Sequence, residues 1–97
     1  MEFSLAAFRE AVNTNFIVVL DGMEVSLQLK SIDELAIGPE IEQFSLQLTG
    51  PQAPFLPQQL YRLQHEKLGE HDLFMVPIGQ DSDGFCYEIV FNLLVSR

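Results

Sequence analysis

At 97 residues the chain is long enough for one hydrophobic core and too short for two, since domains cluster at roughly 100–150 residues; with 47% of its residues hydrophobic, burial can offset the entropy lost on ordering it. Fourteen acidic residues against five basic ones give a net charge of −9, which repels phosphate backbones and anionic bilayers and excludes nucleic acid and membrane surfaces as expected partners. Cys86 is the single cysteine, so neither an intramolecular disulfide framework nor a cysteine-rich zinc site is available.

Ser4 precedes a segment in which Leu5, Phe8 and Val12 recur at helical spacing among the helix formers Ala6, Ala7, Arg9, Glu10 and Ala11, which predicts a short helix over about 4–12. So short a helix is not stable in water alone, so its apolar stripe must dock, and closing one end of the domain is the expected role. The same residues, MEFSLAAFREAV, carry no basic stretch followed by an apolar core, so a signal peptide is not expected. No apolar run reaches the roughly 18–20 residues of a spanning helix, and a cytoplasmic location is the expectation.

From Asn15 the period becomes strand-like. FIVVL is short and β-branched, and Asp21-Gly22 follows it, a dipeptide favoured in two-residue type I′ hairpins because both central positions need positive φ. Beyond it Met23, Val25, Leu27 and Leu29 alternate with Glu24, Ser26, Gln28 and Lys30, giving one dry face and one wet. The acidic stretch from Ile32 to Glu42, broken by Gly38-Pro39, reads as a connection with no regular structure of its own. QFSLQLT is a third strand ending at Gly50-Pro51, and Pro51, Pro54 and Pro57 stiffen the next stretch into an extended crossing.

LYRLQH and EHDLFMVPIG flank Glu66-Lys67-Leu68-Gly69, read as a three-residue hairpin loop with Gly69 left-handed beside a bulge. That register pairs His65 with His71, Glu66 with Glu70, Leu63 with Leu73 and Tyr61 with Met75. Asp81-Ser82-Asp83-Gly84 turns the chain into a last strand, FCYEIVFNLLV. About six short strands, mostly joined by hairpins, with one short N-terminal helix predict a single mainly β domain over 1–97, a small antiparallel barrel or two-sheet sandwich. A partly open barrel with the helix on one end is favoured.

The strand ending in Gly50-Pro51, the Leu56-Pro57-Gln58 step, Tyr61-Arg62-Leu63 with His65, Leu68-Gly69, the Phe74-Met75-Val76-Pro77-Ile78-Gly79 strand, and Tyr87-Glu88 with Phe91-Asn92 together resemble a bacterial family of small β-rich proteins classed as a domain of unknown function. The resembling stretch covers about half the chain. Members of that family are often encoded beside phage-tail-collar-like proteins, which implies an assembly-accessory role. No established activity, cofactor or functional residue comes with the resemblance.

Chemically reactive groups are sparse. In the register above, His65 and His71 stand opposite each other, where a cation could bridge them, but a third ligand would have to come from elsewhere; the plainer reading is a solvated rim at the hairpin end of an apolar face. Asp81-Ser82-Asp83-Gly84 resembles the start of a calcium loop without the bidentate glutamate that completes one, and turn chemistry explains the same residues. Cys86 lies between Phe85 and Tyr87 with no nearby cation to lower its pKa. The serines lack a nucleophile elbow. Glu42, Glu88 and the Asp81–Asp83 turn could serve an enzyme only by converging in space. No catalytic residue, metal or cofactor is therefore expected.

Two strands, by contrast, are apolar on both faces. Leu73 and Met75 alternate with Phe74, Val76 and Ile78, and Phe85, Tyr87, Ile89 and Phe91 with Cys86, Val90 and Leu94. One face packs the core. The other is covered either by the helix or the Pro-rich segment, or by a partner, since contiguous exposed apolar patches mark interfaces. Phe74, Val76 and Ile78 are the expected contacts, and the expected function is a non-catalytic interaction or assembly module that binds another protein or itself. The alternatives are a barrel enclosing a small apolar ligand and, behind it, a metal-dependent enzyme using His65 and His71.

Overall fold

The computed structural model describes residues 4–94. Helix α1 (Leu5–Glu10) is followed by strands β1 (Asn15–Leu20), β2 (Met23–Ile37), β3 (Ile41–Thr49), β4 (Gln59–His65), β5 (Gly69–Asp81) and β6 (Gly84–Leu94). All neighbours are antiparallel, and the sheet closes in the order β1-β2-β3-β6-β5-β4. The barrel is therefore closed rather than partly open. Closure rests on two pairs between β1 and β4, Ile17↔Gln64 and Val18↔Leu63, and it removes the edges that an open sheet would expose to other chains.

The turn chemistry is as expected at Asp21 and Gly22, whose φ angles of 52° and 78° join β1 to β2 with Leu20 opposite Met23. The stretch from Ile32 to Glu42 differs from its reading as a connection, because β2 continues to Ile37 and β3 starts at Ile41. Its pairing shifts register between Leu29 and Ser31 and again between Glu34 and Ala36. Each bulge puts the alternation of side chains out of step, so a strand is present where the period of two is not. Gly38-Pro39 then forms the hairpin turn, with Gly38 N donating to Ile41 O.

The β4–β5 hairpin also differs. Its loop has three residues, but they are Glu66, Lys67 and Leu68, and the closing pair is His65↔Gly69. Gly69 does have positive φ, 79°. The pairs that follow are Leu63↔His71, Tyr61↔Leu73 and Gln59↔Met75, two residues away from the expected register. An even shift keeps every side chain on its expected face, which is why Tyr61, Leu63, Leu73 and Met75 are all buried. Two interactions set the observed register: His65 Nδ1 accepts from the backbone of Lys67 and Leu68, and Leu68 folds back into the core.

Inward-facing Leu27, Leu29, Phe44, Leu46, Leu48, Met75, Tyr87 and Ile89 fill the barrel axis. Its two ends are plugged differently. At one end Ser4 caps α1 by accepting from Ala7 N, and Phe8 packs its ring 5.9 Å from Phe44 and 5.0 Å from Phe91. At the other, the Pro-rich segment carries β3 across to β4, and its Leu56 is completely buried. Leu56 N donates to the Tyr87 hydroxyl, and the Tyr61 hydroxyl donates to Pro57 O. Burial pushes both phenols up from their ordinary pKa, so both stay protonated. Among the described residues no helix is long and apolar enough to cross a membrane.

Candidate functional site

Neither plug covers the outward face of β4 and β5. Its ladder pairs run Gln64↔Glu70, Arg62↔Asp72 and Leu60↔Phe74, and alternation turns all six side chains outward. The first two pairs are polar and joined to each other. Arg62 Nε donates to Asp72 Oδ1 at 2.9 Å and its guanidinium lies 3.7 Å from Glu70, to which Gln64 also donates. The hydrogen bond from Arg62 holds the Asp72 carboxyl below the usual carboxylate range. The third pair is apolar, and both members are open to solvent, Leu60 by 60% and Phe74 by 51%.

The apolar region continues beyond that pair. Val76 is half-buried and faces Glu88 across the β5–β6 ladder. Val90, two residues further along the same face of β6, is exposed, as is Ile78 beside the bulge at Pro77 and Gly79. Of the expected contacts, Phe74 and Ile78 are thus exposed and Val76 is the deeper residue between them. The reading that α1 or the Pro-rich segment covers this surface is overturned. Leu5 and Phe8 are spent on the barrel end, and Phe55 of the Pro-rich segment rests on Phe85 instead, 4.9 Å between ring centres. The sequence reading passed over Leu60, although its alternation with the outward Arg62 and Gln64 was a sufficient signal.

The imidazoles do not form the opposed pair that the expected register implied. His65 Nδ1 accepts from Lys67 N at 3.0 Å and Leu68 N at 3.1 Å, while its Nε2 lies 2.7 Å from Thr14 Oγ1. His71 Nε2 meets Leu68 O at 2.7 Å and must donate there, since a carbonyl only accepts. Both rings are engaged in holding the hairpin turn. No group of three or more His, Cys, Asp or Glu suited to a metal ion occurs among the described residues.

The carboxylates do not converge either. Glu42 accepts from Leu5 N at the helix end, whereas Asp81 caps the turn at the opposite end, where it accepts from Asp83 N and Gly84 N. The bond from Asp83 N, followed by that from the Cys86 thiol, leads in holding Asp81 below the ordinary carboxylate range. Glu88 lies between the two ends and accepts from Gln47. Burial and the neighbouring Asp81 push the Cys86 thiol up, away from the thiolate a nucleophile needs.

A surface cleft of about 650 Å³ separates α1 from the β4–β5 hairpin, with Glu10, Thr14, His65, Lys67 and Leu68 among its walls. A second groove, about 440 Å³, follows β2 beneath the Pro-rich segment. In the first, the His65 and Thr14 groups that could meet a ligand already bond to each other and to the backbone. No curated protein and no solved structure matches the chain. A family model described as "Domain of unknown function (DUF6916)" matches residues 3–91.

Proposed function

Since the chain belongs to that family of unknown function, whose description assigns no chemistry, we propose from its surface that it is a non-catalytic protein-interaction module. The observation that carries this reading is the outward gradient on β4 and β5, from the Arg62–Asp72 and Gln64–Glu70 pairs to Leu60 and Phe74. An apolar centre beside a polar, ion-paired margin is the anatomy of a protein interface. Phe74, Val76 and Ile78 make the main contacts, with Leu60 and Val90 flanking them. The filled barrel axis favours this over an enclosed apolar ligand, and the engaged imidazoles favour it over metal chemistry.

The resemblance to bacterial proteins encoded beside phage-tail-collar-like neighbours makes an assembly accessory for such a protein the specific form of the proposal, acting in the cytoplasm. Affinity purification from the native host compares the wild type with Phe74→Asp and with Ser26→Asp, which lies on the outer face of β2. The expected result is a stoichiometric partner, either a second protein or another copy, that is lost with Phe74→Asp and kept with Ser26→Asp while circular dichroism shows both folded. Repeated recovery with no stoichiometric partner would count decisively against it.

A further inference from the structure

His65 connects two parts of the helix end that are distant in sequence, its own turn and the segment from Thr14 to Phe16. Its Nδ1 accepts two backbone N–H groups of the β4–β5 turn, its Nε2 meets Thr14 in the α1–β1 corner, and its ring packs 4.6 Å from Phe16 at the start of β1. The proton positions follow from these partners. An Nδ1 that faces two donors must be bare, so the neutral ring carries its proton on Nε2 and donates to Thr14 Oγ1. The Thr14 hydroxyl proton in turn goes to Ala11 O.

We propose that His65 is a proton-operated latch: the neutral imidazole ties the β4–β5 turn to the α1–β1 corner, and protonation at Nδ1 releases the turn. A second N–H there points at two amide N–H groups, turning both acceptor contacts into donor–donor clashes. Leu68, buried beneath the turn, loses its anchor with them. The Ala11 and Phe16 surfaces buried at the same end lose part of their cover.

Burial, rather than the surrounding charges, favours the neutral ring. Burial lowers the His65 pKa most; Glu66 on the same turn opposes that shift and Lys67 reinforces it. Glu10 of α1 lines the same cleft, and His71 of β5 approaches the turn at Leu68 O. With the folded value below the unfolded value of about 6.5, the unfolded chain binds more protons between the two. The latch is therefore fully effective above the unfolded value and is lost as pH falls through the folded one.

Long-range proton–nitrogen correlation spectra of the whole chain read the tautomer directly. The expected result at neutral pH is a proton on Nε2 and none on Nδ1. As His65 takes up its second proton, the Lys67 and Leu68 amides should lose about tenfold in exchange protection, after correction for the intrinsic pH dependence. His65→Asn offers an oxygen near the Nδ1 position that does not titrate in this range, and protection in that variant should stay flat. A proton on Nδ1 at neutral pH overturns the proposal, as does a ring that titrates without any change at the two amides. A His65→Asn variant that follows the wild type into acid overturns it too, by assigning the loss to carboxylates. If that variant fails to fold, the wild-type spectra and exchange decide alone.

Discussion

Where β6 begins, Gly84 crosses Gly50 at the end of β3 with no room for a side chain. A Cβ on Gly84 would lie 1.9 Å from Gly50 O, whereas a carbon–oxygen contact needs roughly 3.3 Å, so the backbones would have to part by about 1.4 Å. Parting them strains the bond from Gly50 N to Phe85 O, 2.9 Å long, and Gly50 is buried. Losing that bond costs about 1–3 kcal/mol, and holding alanine at the Gly84 φ of 147° adds about 1–3 kcal/mol. Gly84→Ala should therefore destabilise the fold by about 2–6 kcal/mol, out of a total near 5–15 kcal/mol for a domain of this size. Gly69→Ala isolates the backbone term, because Gly69 has φ of 79° and nothing within 4 Å of its would-be Cβ; it should cost about 1 kcal/mol. Urea melts followed by far-ultraviolet circular dichroism compare the two. Equal losses, within about half a kcal/mol, would refute the close approach.

Leu27, Leu46, Leu63 and Phe91 each pack the barrel interior, and truncating any of them to alanine should cost about 2–5 kcal/mol in the same melts; losses below about half a kcal/mol for all four would mean that the inner face is wrongly assigned. With its pKa raised by burial and by Asp81, the Cys86 thiol stays protonated near pH 8, where an ordinary cysteine of pKa about 8.5 is partly thiolate. Alkylation by iodoacetamide should be slower than for a free thiol and should accelerate only as pH rises further. Modification as fast as a free thiol at that pH would contradict this.

Local chemistry made much of the fold legible. Alternation from Val25 to Leu29, positive φ at Asp21-Gly22 and a capping Ser4 each act within a few residues and appear as read, whereas Met23, expected on the dry face, is exposed beside the turn. What failed depends on contacts distant in sequence or on inserted residues. The second half of β2 is hidden because its bulges cancel the alternation. The β4–β5 register turned on an imidazole reaching into its own turn, and barrel closure on two residue pairs between strands far apart in the chain.

The candidate face was partly readable for the same reason. Phe74 and Ile78 stood out because β5 is apolar on both sides. Whether they were covered was not readable, since that depends on where α1 and Leu56 go. Both fill the ends of the barrel instead of its side.

The most direct measurement places a photo-crosslinking amino acid at position 74, 60 or 78, with position 26 on the outer face of β2 as the control, and irradiates the protein in host cells. If the outward face of β4 and β5 is the docking surface, positions 74, 60 and 78 give one common adduct of defined mass, either with a second protein or with another copy of the chain, and position 26 does not. No adduct at 74, or equal adducts at 74 and 26, would contradict the assignment of function to this face.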